Sequence, residues 1–334
     1  MAELKLTYIV PLYNNAQFVL RCLNTIVEQG IPVEDYEVIV VDDGSTDGGQ
    51  DVVDDFSRQN PQVKVIHQSN AGVSAARNRA IQKAQGRYLQ FVDADDYLAK
   101  GMMAPLLQRA IDLDVEAMEF NYVPVDAEGR AISDQGASFY PSTELTTGVE
   151  YLTTHAITSY VWRFLIRRDF FLSGNWRFDE SLIACEDGSL IARFLLNASR
   201  VAHDVAAPYR YVQHAASAMH NPDPQHLRRR VFSQVDAAAS IDKTIRDFEA
   251  SSGKKAPASV AGLRNVYLYF SMTKALTCGL VDEVLQRIRQ AGLYPFPCVG
   301  PESNYHGMKW KLIHMLMMKP GLWKALSKLY RLIK

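Results

Sequence analysis

Three short stretches of this 334-residue chain concentrate carboxylates. They are Asp42-Asp43 in EVIVVDDGSTDGG, Asp93-Ala94-Asp95-Asp96 in YLQFVDADDYL, and Glu186-Asp187 in CEDGSLIARFLLNAS. Acids packed that closely repel one another and raise each other's pKa. Several of them converging on one crevice need a counter-charge. Hard divalent cations, Mn²⁺ or Mg²⁺, suit oxygen ligands, and no nearby Cys or close His pair favours a softer metal. Each stretch alone also has a plainer reading: Asp43 or Ser45 as a helix cap, DADD as an exposed turn, Glu186 and Asp187 as first-turn acids.

The elements that carry these acids follow a repeating pattern. LTYIVPLY is a short apolar strand ending in Pro11-Leu12-Tyr13-Asn14-Asn15. Ala16, Val19, Leu20, Leu23, Ile26 and Val27 then recur at helical spacing until Gly30. Glu37–Asp43 has an unbroken apolar centre, the mark of a parallel strand covered on both faces. Thr46–Gln59 predicts a helix, VKVIHQ a third strand, Val73–Ala84 a helix closed by Gly86, and RYLQFVD a fourth strand. Repeated βα units imply an α/β fold with a doubly wound, mostly parallel sheet. In such sheets ligands bind beyond the carboxyl ends of the strands, where these acids lie.

Beyond residue 100 the pattern loosens. AMEFNYV predicts another strand, and 124–147 a loop rich in Gly, Ser, Thr and Pro. SYVWRFLIRR reads as a strand or strand–turn, CEDGSLIARFLLNAS as a helix with acids at its start, and PYRYVQH as a strand. From about Asp223 the chain reads as helical over Gln225–Ala250, Pro257–Thr277 and Val281–Ala291. We expect a catalytic domain over 1–220 and a helical region over 221–334.

Composition narrows the partners. A net charge of −1 gives no reason to expect nucleic acid. The four cysteines, Cys22, Cys185, Cys278 and Cys298, have no metal or redox spacing and read as reduced thiols of a cytoplasmic protein. No signal peptide or membrane-spanning run is visible. Seven of the 36 basic residues fall in Lys309–Lys334, which holds no Asp or Glu. Its Trp and Leu residues among lysines suit an anionic inner-leaflet surface, and equally a helix packed on its own body.

Taken together, IVPLYNN, VIVVDDGSTDGG, NAGVSAARNRA and YLQFVDADDYL resemble the nucleotide-sugar-binding half of the family-two glycosyltransferases, inverting enzymes of the GT-A fold. YVWRFLIRRDFF and RFDESLIACEDGSLIARFL resemble that family's acceptor-side segments, and YRYVQHAASAMH its last catalytic-domain strand. The resemblance covers roughly 5–220, and DAD matches the family's D-x-D motif. It implies that Asp43 accepts a hydrogen bond from uracil, that Pro11 and Tyr13 wall the base, and that Arg77 reaches the nucleotide. It puts Asp93 near the ribose or metal, with Ala94 beside it, and gives Asp95 the metal bridging the two phosphates. Asp187, beside Glu186, becomes the general base.

Trp162 reads as a sugar-stacking ring or a core residue, and His214 or His220 as a metal or diphosphate contact or a structural histidine. The Gln-x-x-Arg-Trp signature of processive synthases is absent, which implies one sugar added per encounter. The implied partners are a UDP-sugar, a glycan or lipid-linked acceptor, and possible homodimer contacts. A rival reading is a non-catalytic sugar-nucleotide-binding or assembly protein. Receiver domains and dehydrogenases fit poorly: an earlier strand precedes Asp42-Asp43, and DGSTDGGQ supplies no G-x-G-x-x-G.

Overall fold

The computed structural model describes residues 4–132, 140–214, 223–295, 319 and 321–326. The chain divides into two compact units. The first comprises Met1–Gly148, Tyr160–Glu180 and Ala198–Ser217.

The first unit is built on strands β1 (Leu6–Leu12), β2 (Tyr36–Asp42), β3 (Val63–His67) and β4 (Tyr88–Phe91), all parallel in the order β3-β2-β1-β4. Helices α1 (Ala16–Val27), α2 (Gly49–Gln59) and α3 (Val73–Ile81) join them. α1 packs on α2, and the right-handed return from β3 across to β4 carries α3 to the opposite face. Val38, Ile39, Val40 and Val41 are fully buried, as a centre covered on both sides requires. Inside this layer Glu37 accepts from Thr7 Oγ1 (2.8 Å), Gln85 N (2.6 Å) and Lys64 Nζ (2.6 Å). A buried carboxylate satisfied this way is tolerated.

The remaining strands are β5 (Tyr97–Leu98), β6 (Ala117–Val125), β7 (Phe164–Arg167) and β8 (Val201–Val212). They complete an eight-stranded sheet in the order β3-β2-β1-β4-β7-β6-β8-β5. β7 runs antiparallel to both β4 and β6, and β5 antiparallel to β8, while β6 and β8 are parallel. The doubly wound parallel pattern therefore extends only over the first four strands. β8 is also longer than PYRYVQH suggested, because Val201–Asp204 pair with Ala117–Phe120 ahead of a register shift.

Two boundaries differ from the sequence reading for local reasons. α2 begins at Gly49 rather than Thr46, because Asp47 folds back to accept from Gly49 N (3.0 Å) and from Ala16 N (2.8 Å) at the start of α1. α3 ends at Ile81, and Gly86 serves another purpose: a Cβ there would lie 2.4 Å from the backbone of Leu6 and Thr7. The chain crosses β1 at a distance only glycine permits.

The second unit comprises Val149–Ser159, Ser181–Asn197 and Ala218–Lys334. It holds α5 (Gly148–Thr154) from Val149 onward, α7 (Glu186–Asn197), α8 (Pro224–Ser252), α9 (Ala258–Cys278) and α10 (Val281–Gln290). The first unit holds α4 (Met103–Asp112) and α6 (Arg168–Ser173). α8 starts on Pro224 with Asp223 accepting from His226 N at 2.6 Å, and ends on Gly253 at φ 68°.

α7 packs closely enough that a Cβ on Gly188 would lie 2.0 Å from the Tyr267 hydroxyl. Alanine gains about 1 kcal/mol over glycine in a helix interior, whereas overpacking costs about 1–3 kcal/mol. G188A is therefore expected to lower the urea midpoint, and adding Tyr267→Phe to recover part of the loss. A midpoint in G188A at or above wild type would contradict this packing.

Most of the basic tail, with His220 and Cys298, lies outside the described residues. Within 321–326, Trp323 is 4% exposed and Lys324 pairs with Asp282 at 2.6 Å. No helix among the described residues is long and apolar enough to cross a membrane.

Candidate active site

The register sets three acidic or polar loops side by side. Leu12 pairs with Asp42 and Ile9 with Phe91, so β1, β2 and β4 end at one edge of the sheet. The loops after β1 and β2 are laced together: Asn14 N donates to Ser45 Oγ (3.1 Å), and Asn14 Oδ1 accepts from Thr46 N (2.8 Å). Asn14 sits at φ 50°, a left-handed conformation asparagine tolerates.

Asp42 and Asp43 divide the work of β2's end. Asp42 accepts from Ser45 N (3.0 Å) and from His67 Nδ1 (3.0 Å), while His67 Nε2 faces Asp54 at 3.1 Å. The hydrogen bond to Asp42 raises the His67 pKa, with help from Asp54. Burial works to raise the Asp42 carboxyl, but its bonds from His67 and Ser45 outweigh it and hold it below the usual range. Asp43 is 2% exposed. Its Oδ1 accepts from Gln68 Nε2 and Ala71 N, and its Oδ2 from Gly72 N, each at 2.8 Å. Asp43 thus fixes the approach to α3, and Oδ2, with one donor, keeps room for another.

After β4 each acid has a different neighbour. Asp93 Oδ1 accepts from Arg77 Nη2 at 2.9 Å, and the Arg77 guanidinium lies 5.2 Å from the centre of the Phe178 ring. Asp95 Oδ2 lies 3.0 Å from His214 Nε2. Asp96, 2% exposed, accepts from the Tyr209 hydroxyl and from Val212 N, both at 2.7 Å. Burial, then the Asp93 charge, raises the Asp95 pKa, against the pull of His214. Burial, then Asp95 and Asp93, raises Asp96 well above the carboxylate range. Burial and mutual repulsion thus act together on Asp95 and Asp96, against the hydrogen bonds from His214, Tyr209 and Val212 N.

The sequence-predicted residues separate as follows. Pro11 and Tyr13 close β1, Tyr13 being 49% exposed, while Ala94 is 2% exposed between the two acids. Asp43, Arg77, Asp93, Asp95 and His214 all belong to the first unit. Glu186 and Asp187 open α7 in the second unit, Asp187 being 7% exposed. Ahead of them Cys185 adopts φ 67°, and Ser233 Oγ accepts from Ile183 N and Ala184 N. Burial, then Glu186, pushes the Cys185 thiol up to about 12, so it is an unreactive neighbour. Trp162 is 2% exposed, its ring 4.1 Å from that of Tyr209.

Sequence reading missed the support from α1. The Phe18 ring lies 4.7 Å from His214, and Arg21 Nη2 donates to the Asp95 carbonyl at 3.4 Å while covering Tyr97. Phe18 and Arg21 lie three apart on one helix face, a spacing compatible with a shared target but with no chemical signature. Tyr209 was equally silent in sequence.

The residues present fit a divalent cation. Among the described residues no three His, Cys, Asp or Glu side chains form a ready-made cage. Mg²⁺ and Mn²⁺ sites need none, since one or two protein ligands suffice when substrate phosphates complete the shell. Asp95 and His214 offer oxygen and nitrogen, and buried His214 Nδ1 hydrogen-bonds to no described residue.

Fold and edge loops together define a GT-A domain. The chain belongs to glycosyl transferase family 2, which matches residues 7–196. It is 32% identical over 203 residues to the uncharacterized glycosyltransferase EpsJ of Bacillus subtilis (strain 168), covering 58% of this chain and 56% of that one. The chain thus spans a little over half of that relative's length. It is 29% identical to the glycosyltransferase GlyG of Streptococcus pneumoniae, covering 79% and 83%. Among solved structures it resembles S. aureus TarS in complex with UDP-GlcNAc (TM-score 0.62, 19% identity, 99% and 93% covered). It also resembles the mannosyltransferase PcManGT of Pyrobaculum calidifontis with GDP-Man and Mn²⁺ (TM-score 0.54, 18%, 99% and 85%).

Proposed function

We propose that this chain is an inverting glycosyltransferase that moves a sugar from a UDP-sugar to a hydroxyl of a glycan or lipid-linked acceptor. The observation that carries the reading is the β4 edge, where Asp93 and Asp95 stand beside Arg77 and His214. Asp95, with Asp93 and His214, would hold a divalent cation. When bound, that cation supplies positive charge against the diphosphate as it leaves.

The chain's own residues do the rest. Asp43, with Pro11 and Tyr13, seats the uracil, and Arg77 keeps Asp93 oriented beside it. Asp187 takes the proton from the acceptor hydroxyl as that oxygen bonds to the anomeric carbon and the bond to the diphosphate oxygen breaks. A single displacement inverts the anomeric centre. Its place in the first turn of α7 favours the ionised form of Asp187, which a base requires. Glu186 stands beside it in the same turn.

Relatives named as poly(ribitol-phosphate) glycosyltransferases support a setting in surface-polysaccharide assembly. The test is UDP release from a panel of UDP-sugars with Mn²⁺ and a pooled glycan acceptor. Acceptor-stimulated release is expected with at least one donor. Tight UDP binding without release from any donor would favour a non-catalytic nucleotide-sugar-binding role.

A further inference from the structure

An aromatic stack adjoins the acidic edge and has no part in the chemistry above. Trp162 lies at its centre. The Tyr209 ring stacks on it at 4.1 Å and 10°, the Tyr160 ring at 5.0 Å and 23°, and the Tyr211 ring at 5.7 Å and 25°. Tyr122 meets Trp162 edge-on at 5.1 Å. Trp162, Tyr209 and Tyr122 are buried, whereas Tyr160 and Tyr211 are only half-buried. The sequence offered Trp162 as a sugar-stacking ring, but its own faces are occupied.

We infer that Tyr160 and Tyr211, backed by Trp162, form a stacking shelf for the pyranose ring of the acceptor, an inference that rests on the glycosyl-transfer reading above. A pyranose presents an apolar C–H face that packs on aromatic rings, with hydroxyls around its rim. Two half-buried rings, 6.0 Å apart and tilted 40° to one another on a buried indole, offer apolar surface to that face.

The shelf is also anchored to the chemistry. The Tyr209 hydroxyl accepts from Asp93 N at 3.0 Å and donates to Asp96 at 2.7 Å, which ties the stack to the β4 edge. Tyr209 and Tyr211 are two apart on β8, so both rings emerge on one face of the sheet. The rings come from β6, β8 and the turn into β7, whereas Asp43 and Arg77 belong to the β1–β4 half. A ring seated here is a different one from the nucleotide.

The test uses the full chain with Mn²⁺ and UDP, and saturation-transfer NMR on methyl β-pyranosides of glucose, galactose and N-acetylglucosamine. The ring protons of one C–H face should receive the strongest saturation with at least one of them. Tyr211→Leu should weaken that glycoside's binding by roughly three- to tenfold, the range of a single aromatic contact. Tyr211→Phe should stay within twofold, and UDP affinity should be unchanged in both. The signal should persist when the UDP-sugar that most raises the melting temperature is added.

Three results would overturn the shelf. They are no saturation of any pyranoside by wild-type protein that binds UDP, equal binding by Tyr211→Leu, and displacement by the UDP-sugar but not by UDP. The last would assign the ring to the donor. Failure of wild type to bind UDP at all would refute the glycosyl-transfer reading instead.

Discussion

Asp95→Asn is expected to lower kcat by at least about 10²–10³-fold, the scale of losing one group that stabilises developing charge. The variant keeps shape and a hydrogen-bond acceptor for His214 but loses the negative charge that would hold a cation. Its stability should move the other way. Burial and the nearby Asp93 raise the Asp95 pKa above its ordinary 3.8. A carboxyl whose folded pKa is raised binds its proton more tightly when folded, so stability falls as pH rises from 3.8 through the folded value. That penalty is carried wherever the folded carboxyl is ionised, and asparagine removes it. The metal-free variant should therefore melt no lower than wild type at pH 7. An inactive variant that melts well below wild type would mean that Asp95 is structural.

Asp187→Asn is the second large effect. Loss of a general base should lower transfer by roughly 10²–10⁴-fold, while UDP affinity stays near wild type. The two variants thus separate by readout: Asp95→Asn weakens the metal-dependent part of nucleotide binding, and Asp187→Asn leaves it intact. Titration calorimetry with UDP and Mn²⁺, run beside an assay of UDP release, distinguishes them. Wild-type turnover in Asp187→Asn would remove the base assignment and shift attention to Glu186.

The first half of the fold was legible because its signals are local. β1, β2 and β4 are apolar runs buried on both faces, β3 is a short β-branched edge strand, and α1 to α3 show helical spacing between them. The antiparallel insertion of β7 was not legible. Phe164–Arg167 is four residues long, and its direction is decided by partners dozens of residues away, Tyr88–Gln90 on one side and Ala117–Glu119 on the other. β8 was half read for the same reason, its first residues being recruited by β6.

The site divides similarly. Asp43, Asp93 and Asp95 stand in motifs whose residue types are unusual at strand ends. Their individual tasks, such as Asp43 holding Ala71 N and Gly72 N, follow from loop geometry that spacing does not encode. His214 is a lone histidine in sequence, and only the pairing of β8 with β5 and β6 delivers it to Asp95. Trp162 reads as functional or structural until Tyr209 is seen stacked on it.

The central claim is that the β4 edge is a cation–diphosphate site built on Asp95. It is tested most directly by UDP titrations with and without Mn²⁺ on wild type and Asp95→Asn. Mn²⁺ should tighten UDP binding to wild type at least about tenfold, a difference of about 1.4 kcal/mol, and leave Asp95→Asn nearly unchanged. Equal Mn²⁺ enhancement in both proteins would contradict the claim and place the cation elsewhere.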